Sequence, residues 1–88
     1  MGARVLIVDD DATGRIYLRR LLAQAGYDAD AVSSGEEALV RFQPEKHRVV
    51  FMDLMMPGID GVEVCKRIKE NPQTQHIPVV MFTKGGGL

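Results

Sequence analysis

Four carboxylates and one hydroxyl hold the chemistry open to this chain: Asp9, Asp10, Asp11, Asp53 and Thr83. The acidic triplet follows directly on the apolar run Val5-Leu6-Ile7-Val8, and a second apolar run, Val49-Val50-Phe51-Met52, ends in Asp53. If the two runs are neighbouring parallel strands, their carboxyl ends bring Asp9, Asp10 and Asp53 to one edge of a sheet. Carboxylates gathered in this way repel one another. A hard divalent cation resolves that repulsion and leaves one acid to serve as ligand or nucleophile, a set suited to phosphoryl chemistry.

The elements needed to position them are legible. Val5 to Val8 reads as a strand buried on both faces. Ile16, Leu18, Leu21, Leu22 and Ala25 recur at helical spacing with Arg15, Arg19, Arg20 and Gln24 on a solvated face, and Gly26 closes that helix. Tyr27 to Val32 alternates as a half-exposed edge strand should. Ser34-Gly35-Glu36-Glu37 has capping-box spacing, predicting a helix that ends before Pro44 and buries Ala38, Leu39 and Phe42. A strand over Val49 to Met52, a Pro57-Gly58 turn, a helix from about Gly61 to Asn71 and a strand over Ile77 to Phe82 follow. The order is βαβαβαβ, which implies an α/β fold with a parallel sheet and right-handed crossovers. In such sheets ligands bind outside the carboxyl ends of the strands, where Asp9, Asp53 and Thr83 all fall.

Composition narrows the class. With 88 residues the chain holds one small domain, and its 45% hydrophobic content, 26% charged content and net charge of -1 offer no basic footprint for nucleic acid. The lone Cys65 can form no internal disulfide, and no apolar segment is long enough for a membrane span, so the expected compartment is the cytoplasm. Cys65 is expected as a small core residue, His47 and His76 as solvated side chains in polar connections, and Met55 and Met56 as packing or loop contacts.

Three blocks, Leu6-Ile7-Val8-Asp9-Asp10-Asp11, Met52 through Gly61, and Pro78 through Thr83, resemble the receiver domain of two-component response regulators. The resemblance implies a flavodoxin-like fold and Mg²⁺-dependent phosphoryl transfer from a sensor histidine kinase or phosphotransfer protein. It implies Asp53 as phospho-acceptor, Asp9 and Asp10 as the acidic pair on Mg²⁺, the Met55 backbone carbonyl as a further metal ligand, and Thr83 as the switch hydroxyl. It also implies a phospho-acceptor that at most removes its own phosphate and turns over no separate substrate, not an enzyme in the ordinary sense.

Two features depart from the family pattern. Relative to that pattern the fifth strand, its phosphate-pairing lysine and the last helices are missing, and Lys84, which follows the switch position, is no substitute for that lysine. Residues 1–84 are therefore expected to form a truncated receiver and 85–88 a glycine-rich tail. The fourth strand would become an exposed edge beside an uncovered apolar face, which predicts self-association into a homo-oligomer through that edge or face. The competing functional reading is a truncated or engineered receiver fragment acting as a chemically silent binding module. Without the other blocks, Asp9-Asp10-Asp11 would serve equally well to cap a helix. An aspartyl-phosphate hydrolase of the dehalogenase type is disfavoured because Asp53-Leu54-Met55 lacks a second acid two residues on.

Overall fold

Consecutive apolar side chains that alternate between two faces can all be buried only at the centre of a covered sheet, and Val5 to Val8 occupy that position. The structure, a computed structural model, describes residues 3–83. Seven elements follow one another: β1 (Arg4–Val8), α1 (Ala12–Gln24), β2 (Asp28–Val32), α2 (Gly35–Arg41), β3 (His47–Asp53), α3 (Gly61–Glu70) and β4 (Val79–Phe82). All strand pairs are parallel in the order β2-β1-β3-β4. Among the described residues this is the 2-1-3-4 part of the flavodoxin-like 2-1-3-4-5 order. Lys84 and the expected tail lie outside the described residues.

Two apolar layers sandwich the sheet. On one face Leu6, Val8, Val50 and Met52 pack against Ala38 of α2 and Val64 and Ile68 of α3. On the other, Val5 and Ile7 meet Leu18 and Leu22 of α1, with Phe51 beside them. The caps explain where the helices begin. Ser34 Oγ accepts the Glu37 amide at 3.0 Å, and Glu37 Oε1 reaches back to the Ser33 amide at 2.9 Å, so the expected capping box closes one residue earlier than the sequence pattern places it. Asp60 caps α3 by accepting the Glu63 amide at 3.0 Å.

Several local expectations need correction. Ile16 is 61% exposed, and Leu21 and Ala25 are also exposed, because α1 lies on the sheet by a single stripe that Leu18 and Leu22 already fill. Strand β2 starts at Asp28, since the Tyr27 amide bonds to Leu22 O and belongs to the helix end. Strand β4 starts at Val79 because the Ile77 amide closes a turn on Thr74 O. Leu39 and Phe42 are partly buried against the core, and Cys65 is half-buried instead of enclosed.

The largest correction concerns His47, which is 2% exposed and opens β3 instead of sitting in a solvated loop. Its Nδ1 accepts the Gln43 amide at 3.0 Å, which fixes the neutral tautomer with Nε2–H donating to Asp30 Oδ2 at 2.8 Å. Phe42 stacks on the ring, with centroids 6.0 Å apart. Arg4 Nη1 completes the group by donating to Asp30 Oδ1 at 2.9 Å. Burial alone would raise the Asp30 pKa, but the His47 hydrogen bond and the charge of Arg4 outweigh it and lower the carboxyl below its ordinary value. His76 is exposed, as expected.

Candidate metal and phosphorylation site

The site is assembled by register. Strands β1 and β3 are neighbours with Val8 paired to Met52, so the next residues, Asp9 and Asp53, stand side by side at the carboxyl ends of the two strands. The chain turns to β2 on one side of β1 and to β3 on the other, which makes this the point where strand order reverses and where open parallel sheets bind ligands. One carboxylate oxygen from each of Asp9, Asp10 and Asp53 lies within 4.8 Å of the others. Asp9 and Asp53 are 1% and 0% exposed, whereas Asp10 faces solvent.

The acidic triplet therefore divides its labour. Asp11 is the N-cap of α1, its Oδ1 accepting the Thr13 amide at 3.3 Å, while its own amide donates to Asp9 Oδ1 at 3.0 Å. Asp53 is oriented from its own loop, with Oδ1 accepting the Met55 amide at 3.0 Å. The Met55 side chain projects into solvent, so the residue meets the site through its backbone. Thr83 lies one position beyond Phe82, the residue paired with Asp53, and is exposed. Its neighbour is tied to the site loop, because Phe82 O accepts the Leu54 amide at 2.9 Å.

Two glycines lie close against the acidic residues. A Cβ at Gly61 would overlap the Asp53 carbonyl oxygen, and one at Gly14 would overlap Asp9 Oδ2. Gly58, at φ 75, makes the turn between β3 and α3 possible. Sequence reading missed both contacts, since a glycine near a helix start carries no mark of what it faces. It also missed Arg15, whose Nη1 donates to the Asp9 carbonyl at 2.8 Å.

Two unit negative charges at the 4.8 Å limit repel by about 3–4 kcal/mol at an effective dielectric of ~20, a repulsion that a bound cation would offset. The donor set fits Mg²⁺, which takes hard oxygen ligands, uses one or two carboxylates and keeps several waters. On the α1 side Asp9 also borders an apolar cavity of about 320 Å³ lined by Tyr17, Leu18, Phe51, Val80 and Phe82.

A doubly wound α/β sheet with three carboxylates at its switch point defines a flavodoxin-like module with an acidic cluster at the carboxyl ends of its strands. The chain belongs to the response regulator receiver domain family, whose pattern matches residues 5–87. It is 31% identical over 98% of its length to the phosphate regulon transcriptional regulatory protein PhoB of Rhizobium meliloti, covering 38% of that protein. It is 39% identical over 94% of its length to the transcriptional regulatory protein ResD of Bacillus subtilis, covering 33% of that protein. The chain thus spans well under half the length of these curated relatives. Among solved structures, the chemotaxis protein CheY4 of Vibrio cholerae matches with a TM-score of 0.87 at 31% identity, over 99% of this chain and 72% of that one. Relative to a full receiver domain, the sheet and helices described here are incomplete.

Proposed function

We propose that this domain accepts a phosphoryl group on Asp53 from a sensor histidine kinase or a phosphotransfer protein, with Mg²⁺ required, in a cytoplasmic two-component pathway. The observation that carries the reading is the convergence of Asp9, Asp10 and Asp53 within 4.8 Å at the strand-order switch point of a receiver-family fold. Asp9, Asp10, the Asp53 carboxylate and the Met55 carbonyl would hold the metal. When bound, Mg²⁺ supplies charge stabilisation for the transferring phosphoryl oxygens.

The remaining work falls to the chain. An Asp53 oxygen forms its bond to phosphorus as the phosphorus–nitrogen bond to the donor imidazole breaks, and the imidazole leaves with the electron pair. The Met55 amide holds the Asp53 carboxylate, leaving its approach direction set before the donor arrives. The new phosphate adds negative charge and acceptor oxygens, and Thr83 acts as the hydroxyl that turns towards them and moves the end of β4. The site turns over no separate substrate, and its chemistry beyond acceptance is loss of its own phosphate. Among the described residues no helix is long and apolar enough to cross a membrane. The net charge of -1 supports protein partners in place of nucleic acid.

Incubation with Mg²⁺ and a small phosphodonor tests the proposal. The parent gains the mass of one phosphate, and Asp53→Asn gains none. A folded parent that takes no label under these conditions would overturn it. A second reading has its own observation: among the described residues β4 is a sheet edge with Val80 and Met81 exposed, beside the apolar cavity bordered by α1. Edges of this kind pair with other chains, so homo-oligomerisation through β4 is proposed alongside. A compact monomer in sedimentation at micromolar concentration would remove that part.

A further inference from the structure

Helical spacing puts Arg15 on the solvated face of α1 with Arg19 and Arg20, yet its side chain is half-buried and donates from Nη1 to the Asp9 carbonyl at 2.8 Å. That carbonyl belongs to the peptide joining Asp9 to Asp10. The Asp9 amide still bonds across to Val32 O at 3.1 Å, and the helix begins only where Asp11 O accepts the Arg15 amide at 3.0 Å. The peptide between the two acids thus sits between ladder and helix. A peptide unit is rigid, so its rotation about the flanking bonds swings the Asp10 side chain relative to that of Asp9.

The same guanidinium acts on a second loop. Glu37 is held below the ordinary carboxylate range by the Ser33 amide first, against a smaller opposing effect of burial, and then by the Ser33 hydroxyl and the charges of Arg41 and Arg15. Glu37 accepts the Ser33 amide at 2.9 Å and contacts its hydroxyl at 3.2 Å, closing the turn between β2 and α2. Arg15 therefore bonds the strand end that carries the acids, and its charge also bears weakly on the neighbouring turn.

We infer that Arg15 is a positioning residue for the acidic site, fixing the Asp9–Asp10 peptide so that both carboxylates converge with Asp53. The inference rests on the reading of these three acids as Mg²⁺ ligands. A charge-assisted bond from a fixed cation is stronger than a neutral one and falls here on the backbone between two ligands. Groups that orient metal ligands are worth about 10–100-fold in affinity, and one acting through the backbone belongs at the lower end.

The test uses the 88-residue chain with Arg15→Ala and Arg15→Lys, measuring Mg²⁺ binding by calorimetry and hydrogen exchange of the Asp11 amide without metal. That amide donates to Asp9 Oδ1, so it reports the acid turn directly. Arg15→Ala weakens Mg²⁺ binding about 10-fold and speeds Asp11 exchange, with Arg15→Lys recovering part of both because its ammonium still donates. Equal or tighter Mg²⁺ binding in Arg15→Ala would overturn the inference, since the guanidinium would then be a mere competing cation. Unchanged Asp11 exchange would overturn it whatever the metal result. A folded parent that binds no Mg²⁺ would instead bring down the reading of the three acids on which the inference stands.

Discussion

Replacing Gly61 by alanine places a methyl group where helix α3 touches the chain leaving β3. The added Cβ would overlap the Asp53 carbonyl oxygen and lie 2.9 Å from both the Asp53 carbonyl carbon and Met52 Cγ. Ordinary contact begins near 3.4 Å, so α3 and the Asp53 backbone must separate by about 1 Å to clear the carbonyl oxygen. Overpacking of this kind costs about 1–3 kcal/mol. The lower entropy of an unfolded alanine chain returns about 0.4–1 kcal/mol, leaving a net loss near 1–2 kcal/mol. For a domain of this size, that lowers the melting temperature by about 5–15 °C. Binding geometry tolerates displacements of about 0.5 Å, so phosphorylation of Asp53 should fall by about 10-fold or more. Gly26→Ala is the control: at φ 94 it strains the backbone but meets nothing within 4 Å. Thermal melts and phosphate uptake measured on both variants separate the effects, because both melt earlier and only Gly61→Ala loses phosphorylation. A Gly61→Ala chain with the parent's melting temperature and phosphate uptake would refute the packing argument.

Two further outcomes follow from charge. Asp10→Asn removes one exposed member of the acidic cluster, so without Mg²⁺ the chain gains about 0.5–1 kcal/mol after solvent screening, while the rise in melting temperature on adding Mg²⁺ shrinks; denaturant titrations with and without the ion read both. Asp30 has a folded pKa below its unfolded value of 3.8, so its ionised form adds stability above that pH, and the contribution is lost as pH falls through the folded value. Asp30→Asn is therefore less stable than the parent near neutral pH by about 1–2 kcal/mol, and the gap closes in acid below 3.8, as melts across pH would reveal.

The strand pattern was readable because Val5 to Val8 and Val49 to Met52 are runs that only a covered sheet can bury, and because both end in acid. Ser34 and Glu37 marked the start of α2 for a local reason, since a cap is written within four residues. What sequence could not show depended on distance. His47 meets Asp30 across 17 positions and Arg4 meets Asp30 across 26, and neither separation leaves a periodic signature. Arg15 was misplaced for a different reason: spacing fixes the direction of Cα–Cβ, but a long side chain can fold back along its helix to a carbonyl beyond the helix start. Ile16 and Leu21 were read as core because apolar periodicity records a face without recording what covers it. The acidic triplet held two purposes at once, and only geometry separated the cap, Asp11, from the cluster members Asp9 and Asp10.

At the end of the sheet opposite the acids, Asp30 on β2 is gripped by Arg4 of β1 and His47 of β3. A strand that slips by one residue turns every side chain to the wrong face, and this clasp resists such slippage in three strands together. Events around Asp53 thus act on a framework anchored at its far end, so the proposed phosphate would bend loops at the rim without sliding strands past one another.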